Sequence, residues 1–278
     1  AIIYSLTNTL TLLIFVNIKA INYLDATLSI ILSYFTAMLF LMIGINKNVK
    51  IRFSNFSLLT IKRLLRFSMP IVPSTLSLWI VNFSDRLIIM NFLGPTLSGI
   101  FSASTKIPNI YSAAFGIFNL AWTETASKVI DKENPNRYYS YLFSKLFHFL
   151  TGLILFFIAL SPILFKIFID DKFSQGLTQV PILFIGVYFN SFVSFYGGVY
   201  VALKDTRYVA FSSILGAILN VIINITFIKY IGLYSASIST AVSFFIIVLI
   251  RAYDINKKIT ISYNVKDVIL GVICILVN

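Results

Sequence analysis

The sequence is 278 residues long, 58% hydrophobic and only 12% charged, with a mean hydropathy of +0.91. A soluble domain carries roughly 45–50% apolar and ~25% charged residues, so an ordinary soluble domain is excluded. The net charge of +12 would suit nucleic acid, but Lys and Arg gather at the ends of apolar runs, where membrane topology explains them, and no nucleic-acid partner is expected.

The apolar runs are continuous rather than alternating, which argues for helices and against a β-barrel. Runs of about 20 apolar residues between charged or Pro/Gly breaks predict spans at 2–18, 23–45, 67–93, 96–126, 146–168, 178–202, 208–228 and 233–252. A ninth run, 266–278, is cut short. Ala1 in place of Met, and that half-length final run, lead us to expect a piece of a longer chain; no signal peptide explains the start. Cys274 is the only cysteine and lies in an apolar run, so neither a disulfide framework nor a cysteine metal site is expected. His148, the only histidine, reads as an ordinary interfacial residue, and no cofactor or metal is expected.

The loops separate into two classes. Segment 46–66 carries Lys47, Lys50, Arg52, Lys62, Arg63 and Arg66, and segment 127–145 carries Lys128, Lys132, Arg137 and Lys145. Segment 203–207 has Lys204 and Arg207, and 251–266 has Arg251, Lys257, Lys258 and Lys266. The intervening loops hold only Lys19, Lys166, Lys172 and Lys229. The positive-inside rule therefore makes loops 46–66, 127–145, 203–207 and 253–265 cytoplasmic. The outer loops are very short, so any function is expected between the helices.

Shifted by 210 residues, positions 18–35 fall on 228–245 with coincidences that include Lys19/Lys229, Ala26/Ala236, Ser29/Ser239 and Ser33/Ser243. The offset equals six spans and preserves orientation, as parallel repeats of a two-lobe transporter would. The expected fold is an all-α polytopic membrane protein. Residues 1–45 would be the last two helices of a first lobe and 46–66 a cytoplasmic linker. Residues 67–252 would form a six-helix second lobe, and 253–278 a cytoplasmic loop with the start of a further helix.

Four ionisable residues stand inside the apolar runs: Asp85, Arg86, Lys106 and Glu124. A charge at mid-membrane depth costs at least ~2.5–3.5 kcal/mol, so such residues have partners or roles. Spans three and four fold about Gly94-Pro95. In that hairpin Asp85 and Lys106 lie at equal depth, about ten residues or ~15 Å from the turn and near the middle of a ~30 Å core, and Asn82 and Asn109 likewise match each other in depth. Two readings stay open: an ion pair of Asp85 with Lys106 or Arg86 that locks the hairpin, or a cationic lining for an anionic substrate. Glu124, close to Trp122, fits an interfacial belt. Asn220 and Asn224, one turn apart, form a polar stripe suited to interhelical hydrogen bonds. Pro70, Pro73 and Pro108 remove backbone donors inside spans, as kinks that either gate or pack. The Tyr and Phe content is expected mostly at lipid-facing and interfacial surface.

The stretch "RFSMPIVPSTLSLWIVNFSDRLIIMNFLGPTLSGIFSASTKIPNIYSAAFGIFNLAW" resembles the hallmark region of bacterial polysaccharide-biosynthesis flippases, within the multidrug/oligosaccharidyl-lipid/polysaccharide exporter superfamily. The matching features are Pro70 and Pro73, Ser84-Asp85-Arg86, Gly94, the Gly99-to-Ser102 segment, Lys106-Ile107-Pro108 and Trp122. "LKDTRY" and "LNVIINITFIKYIGLYSASIST" are similar to the family's later segments, with departures at Lys229, where the family usually has proline, and Ser235, where it has a second glycine.

The resemblance implies a twelve- to fourteen-helix protein of the bacterial inner membrane. Its expected activity is to flip an undecaprenyl-pyrophosphate-linked oligosaccharide repeat unit for O-antigen or capsule synthesis. A lipid-linked oligosaccharide, membrane lipids and other polysaccharide-assembly membrane proteins are the expected partners. Arg86 and Lys106 would face the cleft, and no catalytic group is needed. Two alternatives are a membrane polysaccharide polymerase, which the short outer loops disfavour, and a cation-coupled drug exporter, which a net cationic hairpin disfavours. No GxxxxGK[ST] motif occurs; proton or sodium coupling through Asp85 or Glu124 stays open.

Overall fold

The structure is a computed structural model that describes residues 2–18, 23–48, 57–131, 134–264, 266, 270, 271 and 274. The described residues form helices and turns with no β-strand. They divide into two compact units, Ala1–Leu59 and Thr60–Asn278. The expected ninth span lies outside the described residues apart from single positions, as does much of the expected linker.

In the first unit α1 (Ile2–Ile18) packs on α2 (Tyr23–Asn48). The Ser29 hydroxyl donates to Asn8 Oδ1 at 3.3 Å, and the rings of Tyr4 and Tyr34 lie 4.5 Å apart. Shifted by 210, this pair lands on the last two helices of the second unit.

The second unit is built from α3 (Leu58–Ser68), α4 (Ile71–Leu93), α5 (Pro95–Ser104), α6 (Lys106–Val129), α7 (Pro135–Phe168), a 3-10 segment (Asp171–Gln179), α8 (Val180–Ala202), α9 (Arg207–Ile231) and α10 (Tyr234–Asn256). Prolines open α5 and α7, where the first amides have no helical acceptor in any case. Gly94 turns the chain between α4 and α5 at φ 92°, a conformation that a side chain disfavours.

Among the described residues, five helical segments are long and apolar enough to cross a membrane: Leu58–Leu93, Pro135–Phe168, Asp171–Ala202, Arg207–Ile231 and Tyr234–Asn256. The chain is therefore an all-α, multi-pass membrane protein. The expected span 96–126 is not among these five: it is two helices broken at Thr105, and α6 is interrupted by polar side chains along its length. The expected loop 251–266 also needs correction, since Arg251 lies inside α10 and is buried.

Pro70 precedes α4, Pro73 lies in its first turn, and Pro108 lies in the first turn of α6. Pro70 and Pro73 thus stand at the break between α3 and α4, inside the segment Leu58–Leu93, and Pro108 just after the break at Thr105. The interior proline is Pro162 in α7, and it removes the amide that the Ile158 carbonyl would have accepted. The hydroxyl of Ser161 replaces that donor at 2.8 Å.

The core lies between α6, α7 and α8 and is aromatic. Trp122 stacks on Phe195 at 4.7 Å and 6°, and its Nε1 donates to the Phe195 carbonyl at 2.8 Å. Trp122 is thus a buried core residue, not part of an interfacial belt. Tyr111, Tyr139, Tyr188, Tyr196 and Tyr200 are fully buried, so these tyrosines are interior, against the expectation of lipid-facing surface. Their hydroxyls find partners, as buried phenols do: Tyr111 with Ser191 at 3.1 Å, Tyr188 with Thr151 at 2.8 Å and Tyr139 with the Ala126 carbonyl at 2.9 Å. On the opposite side α4 packs against α9, and α10 against both α8 and α9.

Candidate functional site

Where the two sides of the second unit meet there is a cleft of about 180 Å³. Asn82, Asp85 and Arg86 of α4 line it, with Thr105, Pro108 and Asn109 at the α5–α6 break, Asn190 of α8 and Thr240 of α10. Asn82 and Asn109 therefore share one cavity. Asp85 and Lys106 do not: Lys106 is exposed and is not part of the lining.

Asp85 is buried and pairs with neither Lys106 nor Arg86. Its Oδ1 accepts from Asn224 Nδ2 and its Oδ2 from Thr240 Oγ1, each at 2.8 Å. Both donors are themselves held. Asn224 Oδ1 accepts from the Ser235 hydroxyl at 2.8 Å, and Thr240 Oγ1 accepts from Asn220 Nδ2 at 3.1 Å. Asn220 Nδ2 also donates to Ser239 Oγ at 3.1 Å, while Ser84 donates to Asn220 Oδ1 at 3.3 Å. Three helices, α4, α9 and α10, thus join around one carboxylate whose hydrogen-bond donors are neutral. Ionised carboxylates in such surroundings are costly unless each oxygen is satisfied, and here each is.

Arg86 is exposed, and among the described residues no carboxylate lies within salt-bridge distance of it. Its charge is presented to the cleft while that of Asp85 is wrapped in donors. Asn190 adds a buried amide oxygen with no hydrogen-bond partner among the described residues. Buried acceptors of this kind are uncommon, and at a cleft wall they are groups for a ligand or water to meet.

Glu124 lies apart. It is exposed and paired with Lys128 one turn on, an exposed i,i+4 ion pair on the helix surface.

Sequence reasoning passed over Thr240, Ser235, Ser239 and Arg251. A signal existed for the first three, since "YSASISTAVS" packs hydroxyls into an otherwise apolar run. Arg251 donates from Nε to Ser212 Oγ at 2.9 Å and from Nη1 to the Val193 carbonyl at 2.8 Å. Its Nη2 reaches Ser213 Oγ at 2.9 Å and the Val209 carbonyl at 3.2 Å. Ser213 in turn meets Ser74 of α4 at 2.8 Å.

Spanning helices around a polar cleft, with a carboxylate buried between three of them, define a polytopic helical membrane protein. Solved structures share that fold. A multidrug resistance MATE family transporter of the MOP superfamily, in an outward-facing conformation, aligns at TM-score 0.63 and 18% identity, covering 77% of this chain and 52% of that one. A MOP superfamily transporter from Pyrococcus furiosus aligns at 0.61 and 18%, with the same coverage. The lipid II flippase MurJ, in an inward closed conformation, aligns at 0.63 and 16% over 99% of this chain and 64% of that one. The chain therefore spans about half to two thirds of the length of these structures. No curated protein sequence matches it. At the sequence level the family described as polysaccharide biosynthesis protein matches residues 2–177, and the chain belongs to that family.

Proposed function

We propose that this chain is part of a flippase that moves an undecaprenyl-pyrophosphate-linked oligosaccharide repeat unit from the cytoplasmic to the periplasmic leaflet of the bacterial inner membrane. Alternating access through the cleft would carry the headgroup, for O-antigen or capsule synthesis. The observation that carries this reading is Arg86, a guanidinium with no carboxylate within salt-bridge distance among the described residues, on the wall of a cleft whose polar lining is otherwise the engaged Asp85 with amides and hydroxyls. Guanidinium suits a pyrophosphate, and amides suit sugar hydroxyls. Family membership and the likeness in fold to a multidrug resistance transporter and a lipid II flippase support it.

The loops rich in Lys and Arg would face the cytoplasm, with the second unit as one lobe. Asp85 is the group we assign to proton or sodium coupling, because it is a buried carboxylate between three helices and Glu124 is spent on Lys128. A cation-coupled drug exporter would favour exposed acidic groups for a cationic substrate, whereas the exposed charge on this cleft is that of Arg86. Polymerase chemistry finds no clustered catalytic groups in the cleft lining.

The test is leaflet exchange of a labelled lipid-linked oligosaccharide in reconstituted vesicles, with and without an imposed proton or sodium gradient. Exchange faster than in protein-free vesicles, and slower with Arg86→Ala, is the expected result. Exchange no faster than in empty vesicles, or unaltered by Arg86→Ala, refutes the reading.

A further inference from the structure

A second cleft lies at the rim of the spans, where the end of α3 meets the turn between α8 and α9. Arg63 and Arg66 line it from one side and Lys204 and Arg207 from the other. Its one carboxylate, Asp205, is already bridged at 2.9 Å by Lys258. Four cations brought together from segments about 140 positions apart repel one another unless an anion sits among them.

Three local features make this more than a topological excess of positive charge. α3 buries none of its residues, yet its end is fixed to the α8–α9 turn because the buried Thr206 hydroxyl donates to the Phe67 carbonyl at 2.9 Å. That bond takes the hydroxyl that would otherwise cap α9, and no side chain caps that helix start, so first-turn amides face the same corner. Lys204 adopts φ 55°, a left-handed conformation that glycine adopts freely and that a side chain disfavours. It does so while its amide closes α8 onto the Val201 carbonyl at 3.0 Å. Strain of this kind persists where the surroundings repay it, and here it places a cation where a glycine would serve the backbone better.

We propose that this cleft binds the phosphate of an anionic membrane phospholipid. Such a headgroup would bridge Arg63 and Arg66 to Lys204 and Arg207 and hold α3 against the rim. Basic pockets at the ends of spans recognise anionic headgroups by this chemistry, and guanidinium groups do so bidentately. The proposal rests on the membrane location of the chain and is independent of the transport reading.

The experiment measures thermal unfolding of the protein reconstituted in phosphatidylcholine vesicles with and without phosphatidylglycerol. A stabilising shift on adding phosphatidylglycerol is expected for the unaltered protein. Arg63→Gln with Arg66→Gln, or Arg207→Gln alone, should reduce that shift by at least half, whereas Lys62→Gln, on α3 but outside the cleft, should keep it. Lys204→Gly guards against misfolding: it relieves the backbone, so its stability in phosphatidylcholine alone should equal or exceed that of the unaltered protein while its response to phosphatidylglycerol falls. Equal responses from all variants, or no shift of the unaltered protein on adding phosphatidylglycerol, overturn the proposal. A larger shift from undecaprenyl phosphate than from phosphatidylglycerol also overturns it, since the cleft would then serve a polyprenyl headgroup.

Discussion

Replacing Asp85 separates what its charge does from what its shape does. Asp85→Ala removes both acceptors and strands the Asn224 amide and the Thr240 hydroxyl, each held 2.8 Å from a carboxylate oxygen. A stranded buried donor costs about 1–3 kcal/mol, so the pair costs ~2–6 kcal/mol, a large share of a typical stability of ~5–15 kcal/mol. Asp85→Asn keeps the shape. Its amide oxygen takes the Asn224 hydrogen, and its NH2 faces Thr240 Oγ1, whose hydroxyl hydrogen can turn away. That exchange trades two charge-assisted bonds for neutral ones and in return removes a desolvated charge, so the terms oppose and the net change in stability should be less than ~1 kcal/mol. Thermal unfolding should therefore rank the unaltered protein and Asp85→Asn together, well above Asp85→Ala. Transport in vesicles should fall in both variants, with Asp85→Asn also losing its dependence on the ion gradient. Unaltered, gradient-dependent transport by Asp85→Asn would show that the charge is not used.

At the cleft, Arg86→Ala should slow transport at least tenfold with protein levels held, while Lys106→Ala, outside the lining, and Glu124→Gln, on the helix surface, should each leave rates within about twofold; vesicle assays on the three variants check this. Arg251→Lys should unfold at a lower temperature than Arg251→Met, because an ammonium keeps the buried charge but cannot span four acceptors on α8 and α9, whereas Met removes the charge that needs them. Lys258 bridges Asp205 and Asp254 at 2.9 Å each. Burial alone lowers its pKa, but hydrogen bonds and charge from the two carboxylates outweigh that and raise it. A raised lysine contributes stability that is complete below the unfolded value of ~10.4 and lost only as pH rises through the folded one. The loss in melting temperature for Lys258→Met should therefore be constant from about pH 6 to 9 and shrink above that range.

Much of the site was legible because charge inside an apolar run is rare and expensive. Asp85 and Arg86 stood out on that ground, and Asn220 and Asn224 by spacing. What failed was direction. Matching residues by their distance from Gly94 fixes height but not azimuth. A side chain turns about 100° per residue around a helix, and the break at Thr105 resets the phase of α6. Height put Asn82 and Asn109 into one cavity correctly, and the same rule wrongly faced Asp85 with Lys106. Arg251 failed for another reason. A charge at the edge of an apolar run reads as the end of a span, and only the serines and carbonyls of neighbouring helices reveal that it is inside. Trp122 followed the same logic, since an indole near polar residues looks interfacial until its N–H is found on a backbone carbonyl.

Arg251, Ser74 and Ser213 toward one end, and Ser84, Asn220, Thr240, Asp85 and Asn224 further along, make the interface of α4, α9 and α10 polar over much of its length. Apolar helix faces slide past one another at little cost, whereas hydrogen-bonded pairs specify one register and lose each bond when displaced. These three helices should therefore move as one body, and the opening of the cleft should come from α6, which among the described residues has no hydrogen bond to them, whereas α8 is tied to α10 through Arg251 and Tyr200. A disulfide between Ser74→Cys and Ser213→Cys tests this, because the two hydroxyl oxygens lie 2.8 Å apart, close enough for the replaced side chains to meet. If α4 and α9 stay together through the cycle, the oxidised pair should transport as well as the reduced one. Reversible loss of transport on oxidation would mean that α4 and α9 part during the cycle, and the seam would then be a contact that transport breaks.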